Sequence, residues 1–177
     1  AMGLRSILRQ DPDVVMLGEI RDEETARIAI QSSLTGHLVM STVHTNSAAG
    51  AITRLRDMGI ESFLLASSLK TIISQRLIRR LCNKCKSETK VSQVAIDLLG
   101  LKKGQTVFSA KGCNDCDGTG FKGRIAIAES IQVGTVLKDM IHDEASEQDI
   151  QNVAFKDIQT IDQIGSELLT KGLTSPE

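Results

Sequence analysis

An α/β fold, followed by a four-cysteine zinc subdomain and a small helical subdomain, is predicted by three features of the 177-residue sequence. Short apolar runs of β-formers alternate with amphipathic helical stretches over residues 1–81, the pattern of βα units on a parallel sheet. All four cysteines stand in two C-x-x-C pairs within 82–123. Helical patterns then fill 124–177.

The first strand lies in DPDVVMLGEIRD (11–22). Val14 to Leu17 form an apolar run bounded by turn signals, which predicts a strand covered on both faces. Pro12 is tolerated ahead of it, and Gly18 permits a turn after it. Glu19 therefore falls at the carboxyl end of a strand, the edge where open α/β sheets bind ligands. Asp22 is placed to cap a helix with Glu23 and Glu24 in its first turn and Ala26, Ala29, Ile30, Ser33 and Leu34 on one face. Gly36 ends that helix, HLVMSTV (37–43) reads as a second buried strand, and Asn46 opens the next helix. His44 then shares an edge with Glu19, whereas His37 lies at the far end of the second strand.

Residues 61–81 carry Leu64, Leu65, Leu69, Ile72, Ile73, Leu77 and Leu81 at helical spacing, predicting one long helix. Arg76, Arg79 and Arg80 crowd its end, either as cations favoured by the helix dipole or as contacts with a neighbouring subunit. In the next module, Cys82, Cys85, Cys113 and Cys116 offer four soft thiolates for tetrahedral Zn²⁺, the alternatives being two disulfides in an oxidising compartment, an Fe–S cluster or free thiols. Full thiolate coordination leaves no position for a reacting water, so such a metal is structural. The long interval between the pairs adds little closure entropy. Gly118 and Gly120 give the backbone freedom for a tight turn after the second pair. Beyond GRIAIAE, a short strand, helices are predicted at about 134–142, 145–155 and 160–171, with Gly172 as a stop.

Composition narrows the function classes. Four Phe with no Trp or Tyr leave little for base stacking, and no nucleic-acid partner is expected. The formal charge is +2 over 1–81, +4 over 82–124 and −7 over 125–177, which suggests modules with different neighbours. No run of 18 apolar residues occurs.

Four stretches carry a family resemblance: LRSILRQDPDVVMLGEIRD, SLTGHLVMSTVHTN, RLRDMGI and QRLIRRLCNKC. They resemble the carboxyl half of the bacterial type II secretion and type IV pilus assembly ATPases, almost continuously over 3–81, and the likeness returns in the cysteine pairs and GFKGRIAIAE. The resemblance implies that 1–81 is the carboxyl half of a RecA-like P-loop ATPase core. Glu19 takes the Walker B role of orienting or activating the water that attacks the γ-phosphate. His37 and His44 belong to the histidine box that senses that phosphate. Mg²⁺ contact falls to Asp13 or Glu19, because Gly18 stands where many P-loop enzymes place an aspartate. Arg21 pairs with Glu19, and Arg5 and Arg9 are candidates for contacts between subunits. The cofactors implied are ATP, Mg²⁺ and structural Zn²⁺.

One element is missing from the sequence: no G-x-x-x-x-G-K-S/T occurs, and GLKKGQT (100–106) lacks the spacing. The chain is thus expected to be part of a motor whose Walker A half lies outside it, inactive alone, with AM at its start as a cloning remnant and TSPE as the cap of a further helix. The expected parent is a homo-hexamer at the cytoplasmic face of the bacterial inner membrane, held there through platform and assembly proteins. The alternative is a zinc-stabilised interaction or nucleic-acid-binding module without ATPase activity.

Overall fold

A computed structural model describes residues 2–93, 96–97 and 101–176, with the backbone alone for Met2, Leu4 and Arg5. The chain divides into two compact units, each built from two stretches: 1–73 with 130–157, and 74–129 with 158–177.

The first unit starts with α1 (Met2–Leu8) and β1 (Val14–Met16). The helix α2 (Glu23–Leu34) begins at Asp22, whose carboxylate accepts from the Thr25 amide at 2.8 Å, and ends at Gly36 with φ of 108°. Strand β2 (Leu38–Met40) follows and lies parallel to β1, with Val14 opposite Leu38, Val15 opposite Val39 and Met16 opposite Met40. Helices α3 (Gly50–Asp57) and α4 (Ser62–Ser68) complete the first stretch. The returning stretch supplies α5 (Thr135–His142) and α6 (Glu147–Ala154).

One core holds the unit together, built on Ala26, Ile30, Ile52, Leu65, Ile131, Ile141 and Ile150. Arg56 adds polar ties, donating to the Ile141 carbonyl at 2.8 Å and the Ala145 carbonyl at 3.1 Å, so that α3 also satisfies the carboxyl end of α5.

Two expectations need correction here. The first two strands are three residues each rather than four and seven, and one face of the pair is open. Val15 is 3% exposed and packs with Ile28, while Met16 is 76% exposed and Val14, Leu38 and Met40 share its face. Parallel strands are ordinarily covered on both sides, and here Ile28 of α2 and Leu8 of α1 pack on the Val15 side. Asn46 does not open a helix directly. A buried turn through Ala48 and Ala49 precedes α3, with Ser47 Oγ accepting from the Gly50 amide at 2.9 Å.

The long helix over 61–81 is also absent. α4 ends at Ser68, Leu69 and Lys70 are extended, and Thr71–Leu81 is strand β3, paired with β6 (Phe121–Gln132). Val133 donates to the Lys70 carbonyl and Cys82 to the Gly120 carbonyl, both at 2.9 Å, so the strands run in opposite directions. Thr71, Ile72, Ile73 and Ile78 are β-branched and fit a pleated ribbon better than a helix.

The second unit takes most of β3 and β6, and adds a hairpin inside the interval between the cysteine pairs. β4 (Ser87–Lys90) pairs antiparallel with β5 (Thr106–Ser109), Glu88 lying opposite Phe108. A 3₁₀ turn at Asn114–Cys116 and helix α7 (Ile161–Thr170) complete it. Among the described residues one cluster of this unit is Leu101, Val107 and Leu169, with Val91 and Ile96 against them. The last residues lie along β3, where Leu81 donates to the Leu173 carbonyl at 2.9 Å and Thr174 Oγ1 to the Arg79 carbonyl at 2.9 Å.

Candidate functional site

The carboxyl end of the parallel pair builds one cluster. Pairing continues past the strands: the Leu17 amide donates to Met40, the Ile20 amide to Thr42, and Thr42 Oγ1 to the Gly18 carbonyl at 2.6 Å. Gly18 and Thr42 are thereby held side by side, which carries Glu19 and His44 to the same edge. Glu19 is 18% exposed at its side chain; Arg21 Nε donates to its Oε2, and His44 Nε2 stands 2.7 Å from its Oε1. Both carboxylate oxygens are therefore engaged. His44 is 87% exposed, so only the side chain of Glu19 is well packed in this contact.

These residues line a cleft of about 350 Å³ together with Ile20, Arg54 and Met58. Arg54 projects from the last turn of α3, whose Ile52 and Leu55 face the core. Nothing in the sequence singles out Arg54, since it lies 35 positions from Glu19 and its neighbours read as an ordinary amphipathic helix. The cleft thus gathers two guanidiniums, an imidazole and one carboxylate, and guanidiniums are the side chains best suited to bidentate contact with phosphate or carboxylate.

Asp13 and His37 lie at the other end of the pair. The Asp13 carbonyl accepts from the Leu38 amide at 2.9 Å, which sets it beside His37 at the amino end of β2. His37 Nδ1 is 3.1 Å from the Ser32 carbonyl and 3.2 Å from Thr35 Oγ1. A carbonyl only accepts, so Nδ1 carries a proton and Nε2 is turned outward from that contact. Among the described residues no hydrogen bond joins Asp13 or His37 to Glu19. Arg9 is exposed, Arg79 lies 4.0 Å over the Phe121 ring, and Arg5 lies outside the described side chains.

The second unit brings all four cysteines together. Their sulfurs lie within 4.8 Å of one another: Cys82 to Cys113 at 3.9 Å, Cys85 to Cys116 at 3.7 Å and Cys113 to Cys116 at 3.7 Å. Thiolates about 2.3 Å from a tetrahedral Zn²⁺ stand about 3.8 Å apart, whereas a disulfide needs about 2.05 Å. The set thus fits a metal and forms no disulfide. Burial pushes the Cys85 thiol up to about 12. Burial also acts to raise Cys116, but amides of Cys113 and Gly120, at 3.3 and 3.2 Å from its sulfur, outweigh it and bring the thiol down to about 7. Gly112 and Gly120 keep these loops close: a Cβ on Gly112 would meet the Gly118 carbonyl oxygen at 2.3 Å. No described helix is long and apolar enough to cross a membrane.

The sequence matches the family model described as type II/IV secretion system protein over residues 1–177. It is 50% identical over 179 residues to the type II secretion system ATPase E of Vibrio cholerae, and 49% identical over 179 residues to the type II secretion system protein E of Pseudomonas aeruginosa. Both alignments span the whole chain and 36% of the relative. It is 44% identical over 182 residues to the type IV pilus assembly ATPase PilB of Thermus thermophilus, covering 20% of that protein. The chain thus spans about a third of the length of the secretion relatives. The crystal structure of the pilus retraction motor PilT with bound ADP superposes with a TM-score of 0.68 at 27% identity, over 99% of this chain and 40% of that one. The ATPase DotB of Legionella pneumophila shares the fold, with a TM-score of 0.66 at 20% identity.

Proposed function

This chain belongs to the type II/IV secretion system protein family, and from that premise we propose that it carries the water-activating edge of an ATP site that drives type II secretion or type IV pilus assembly. The observation that carries the reading is the convergence of Arg21 and His44 on the two oxygens of Glu19 at the carboxyl end of β1. A carboxylate fixed at such an edge can orient a water for in-line attack on a γ-phosphate. Arg21 positions it, and His44, which among the described residues contacts Glu19 alone and is open to solvent, is free to turn to a phosphate and release Oε1. Arg54 adds positive charge on the cleft wall. Asp13 and His37 enter the proposal through the family likeness, at the opposite edge, as candidates for Mg²⁺ and nucleotide contact.

The phosphate cradle comes from elsewhere, because the sequence holds no P-loop. The domain reading places the ATPase half in 1–81, the zinc subdomain in 82–123 and a helical subdomain in 124–177. Structural zinc in the Cys82, Cys85, Cys113 and Cys116 site, a homo-hexameric assembly, and peripheral attachment to the cytoplasmic face of the inner membrane through platform proteins complete it. The test joins this chain to the residues that precede it in its reading frame. ATP hydrolysis by the longer protein, none by the chain alone, and loss of turnover in Glu19→Gln are expected. A longer protein without a P-loop, or turnover indifferent to Glu19→Gln, sinks the reading.

A further inference from the structure

One carboxylate ties together three parts of the cysteine-bearing unit. Lys84, inside the Cys82–Cys85 knuckle, places Nζ 2.8 Å from Asp115 Oδ1. Lys122, near the start of β6, places Nζ 3.0 Å from Asp115 Oδ2. Asp115 itself lies inside the Cys113–Cys116 knuckle. Both oxygens of a single side chain thus bridge the first knuckle, the second knuckle and the strand that follows.

Two physical arguments give this arrangement a role. The knuckles are far apart in sequence, so nothing local holds their sulfurs in register, and a cross-link between them reduces the ordering left for a metal to impose. In addition, four thiolates around a divalent cation leave a formal charge of −2, and groups around a metal site that balance or orient its ligands commonly govern how tightly the metal is held. Lys84 and Lys122 bring two positive charges towards that centre, where both feel the cysteines electrostatically, and Asp115, which holds them, leaves the trio one net positive charge. An isolated surface pair contributes little, but here a single acid serves two lysines and sits between two ligands of the same site.

We infer that Asp115, with Lys84 and Lys122, is a positioning clamp for the four-cysteine metal site, holding the knuckles in register and keeping positive charge beside the thiolates. The inference rests on the zinc reading of the site.

The experiment uses the whole chain loaded with Zn²⁺ and follows metal transfer to a chromogenic chelator. Visible spectra of the Co²⁺-substituted protein are recorded alongside. Asp115→Asn and Lys84→Met are each expected to weaken metal retention about tenfold, the lower end of what such outer groups contribute. Lys122→Met, which spares the link between knuckles, is expected to have a smaller effect in the same direction. Lys84→Met combined with Asp115→Asn should lose little more than either alone, because the two share one interaction. All variants are expected to keep the tetrahedral thiolate–cobalt bands. Both lysine side chains are largely exposed, 70% and 63%, so their truncation tests the clamp without threatening the core. A metal-loaded parent whose Asp115→Asn and Lys84→Met variants hold zinc within twofold of it overturns the clamp and leaves the zinc site standing. A parent with no thiolate–cobalt bands and no bound zinc overturns both.

Discussion

Glu19 has an oxygen for each of two partners, and the difference between those partners sets what each substitution should do. If Glu19 activates water as proposed, Glu19→Gln in the longer protein is expected to lower kcat by about 10²–10⁴-fold, the usual range for a positioned acid–base group, with little change in nucleotide affinity. Arg21→Gln leaves the carboxylate but releases one oxygen, so the expected loss in kcat is smaller; steady-state hydrolysis with nucleotide titration separates the two. Asp22 offers a pH test. Its carboxyl is held below the usual range, first by the Thr25 amide and then by the Thr25 hydroxyl. The stabilisation is therefore present above the ordinary carboxyl value and is lost as pH falls through the lowered one. Asp22→Asn caps about as well without titrating, so its melting temperature should fall less steeply than the parent's as the pH is taken down through and below the ordinary carboxyl range. The shared edge of Glu19 and His44 and the gathering of the four cysteines were legible, because a strand edge and a pair spacing are local patterns. The placement of Arg54 beside Glu19, and of Asp115 against Lys84 and Lys122, was not, because it depends on partners distant in sequence.

Among the elements, helix α4 shows how position along one turn changes a prediction. Leu65 is fully buried and its neighbour Phe63 is 54% exposed. Leu65→Ala is expected to destabilise by about 2–5 kcal/mol, and Phe63→Ala by less than about 0.5 kcal/mol, both read from denaturant unfolding. Helix α7 depends on its start, where Thr160 and Gln163 cap reciprocally; Thr160→Ala should cost about 1 kcal/mol. Those helices were legible because caps and periodicity lie within the segment itself. The end of α4 was not, since Leu69, Ile72 and Ile73 continue the helical spacing while the chain has already become a strand. What decides the matter is β6, about 50 residues later in sequence, which offers β3 a ladder that helical periodicity cannot register. The hairpin of β4 and β5 went unread for the same reason: its strands are four residues each, too short to show a period.

At the scale of the whole molecule, the two units differ in how they hold themselves together, and metal removal should separate them. The first unit buries seventeen apolar residues in one cluster that contains no cysteine. Among the described residues the second buries three in its own cluster, with two more partly buried apolar side chains against them. Small clusters of that kind commonly lean on a metal or a disulfide. Here the sulfurs are at metal spacing and unbonded, and Cys82 and Cys116 are almost fully buried, so a metal held by them is expected to carry part of this unit's stability. Chelation of the metal-loaded chain is expected to raise amide hydrogen exchange across Ser87–Lys90, Thr106–Ser109 and Asn114–Cys116. Protection of α2 and α5 is expected to persist, because Ala26, Ile30 and Ile141 are packed within the other cluster. Equal loss of protection in both sets would mean that the cysteine site stabilises the whole chain through β3 and β6, the strands that contribute to both units. No loss in either would mean that the small core suffices, and that the four thiolates are gathered for some purpose other than folding.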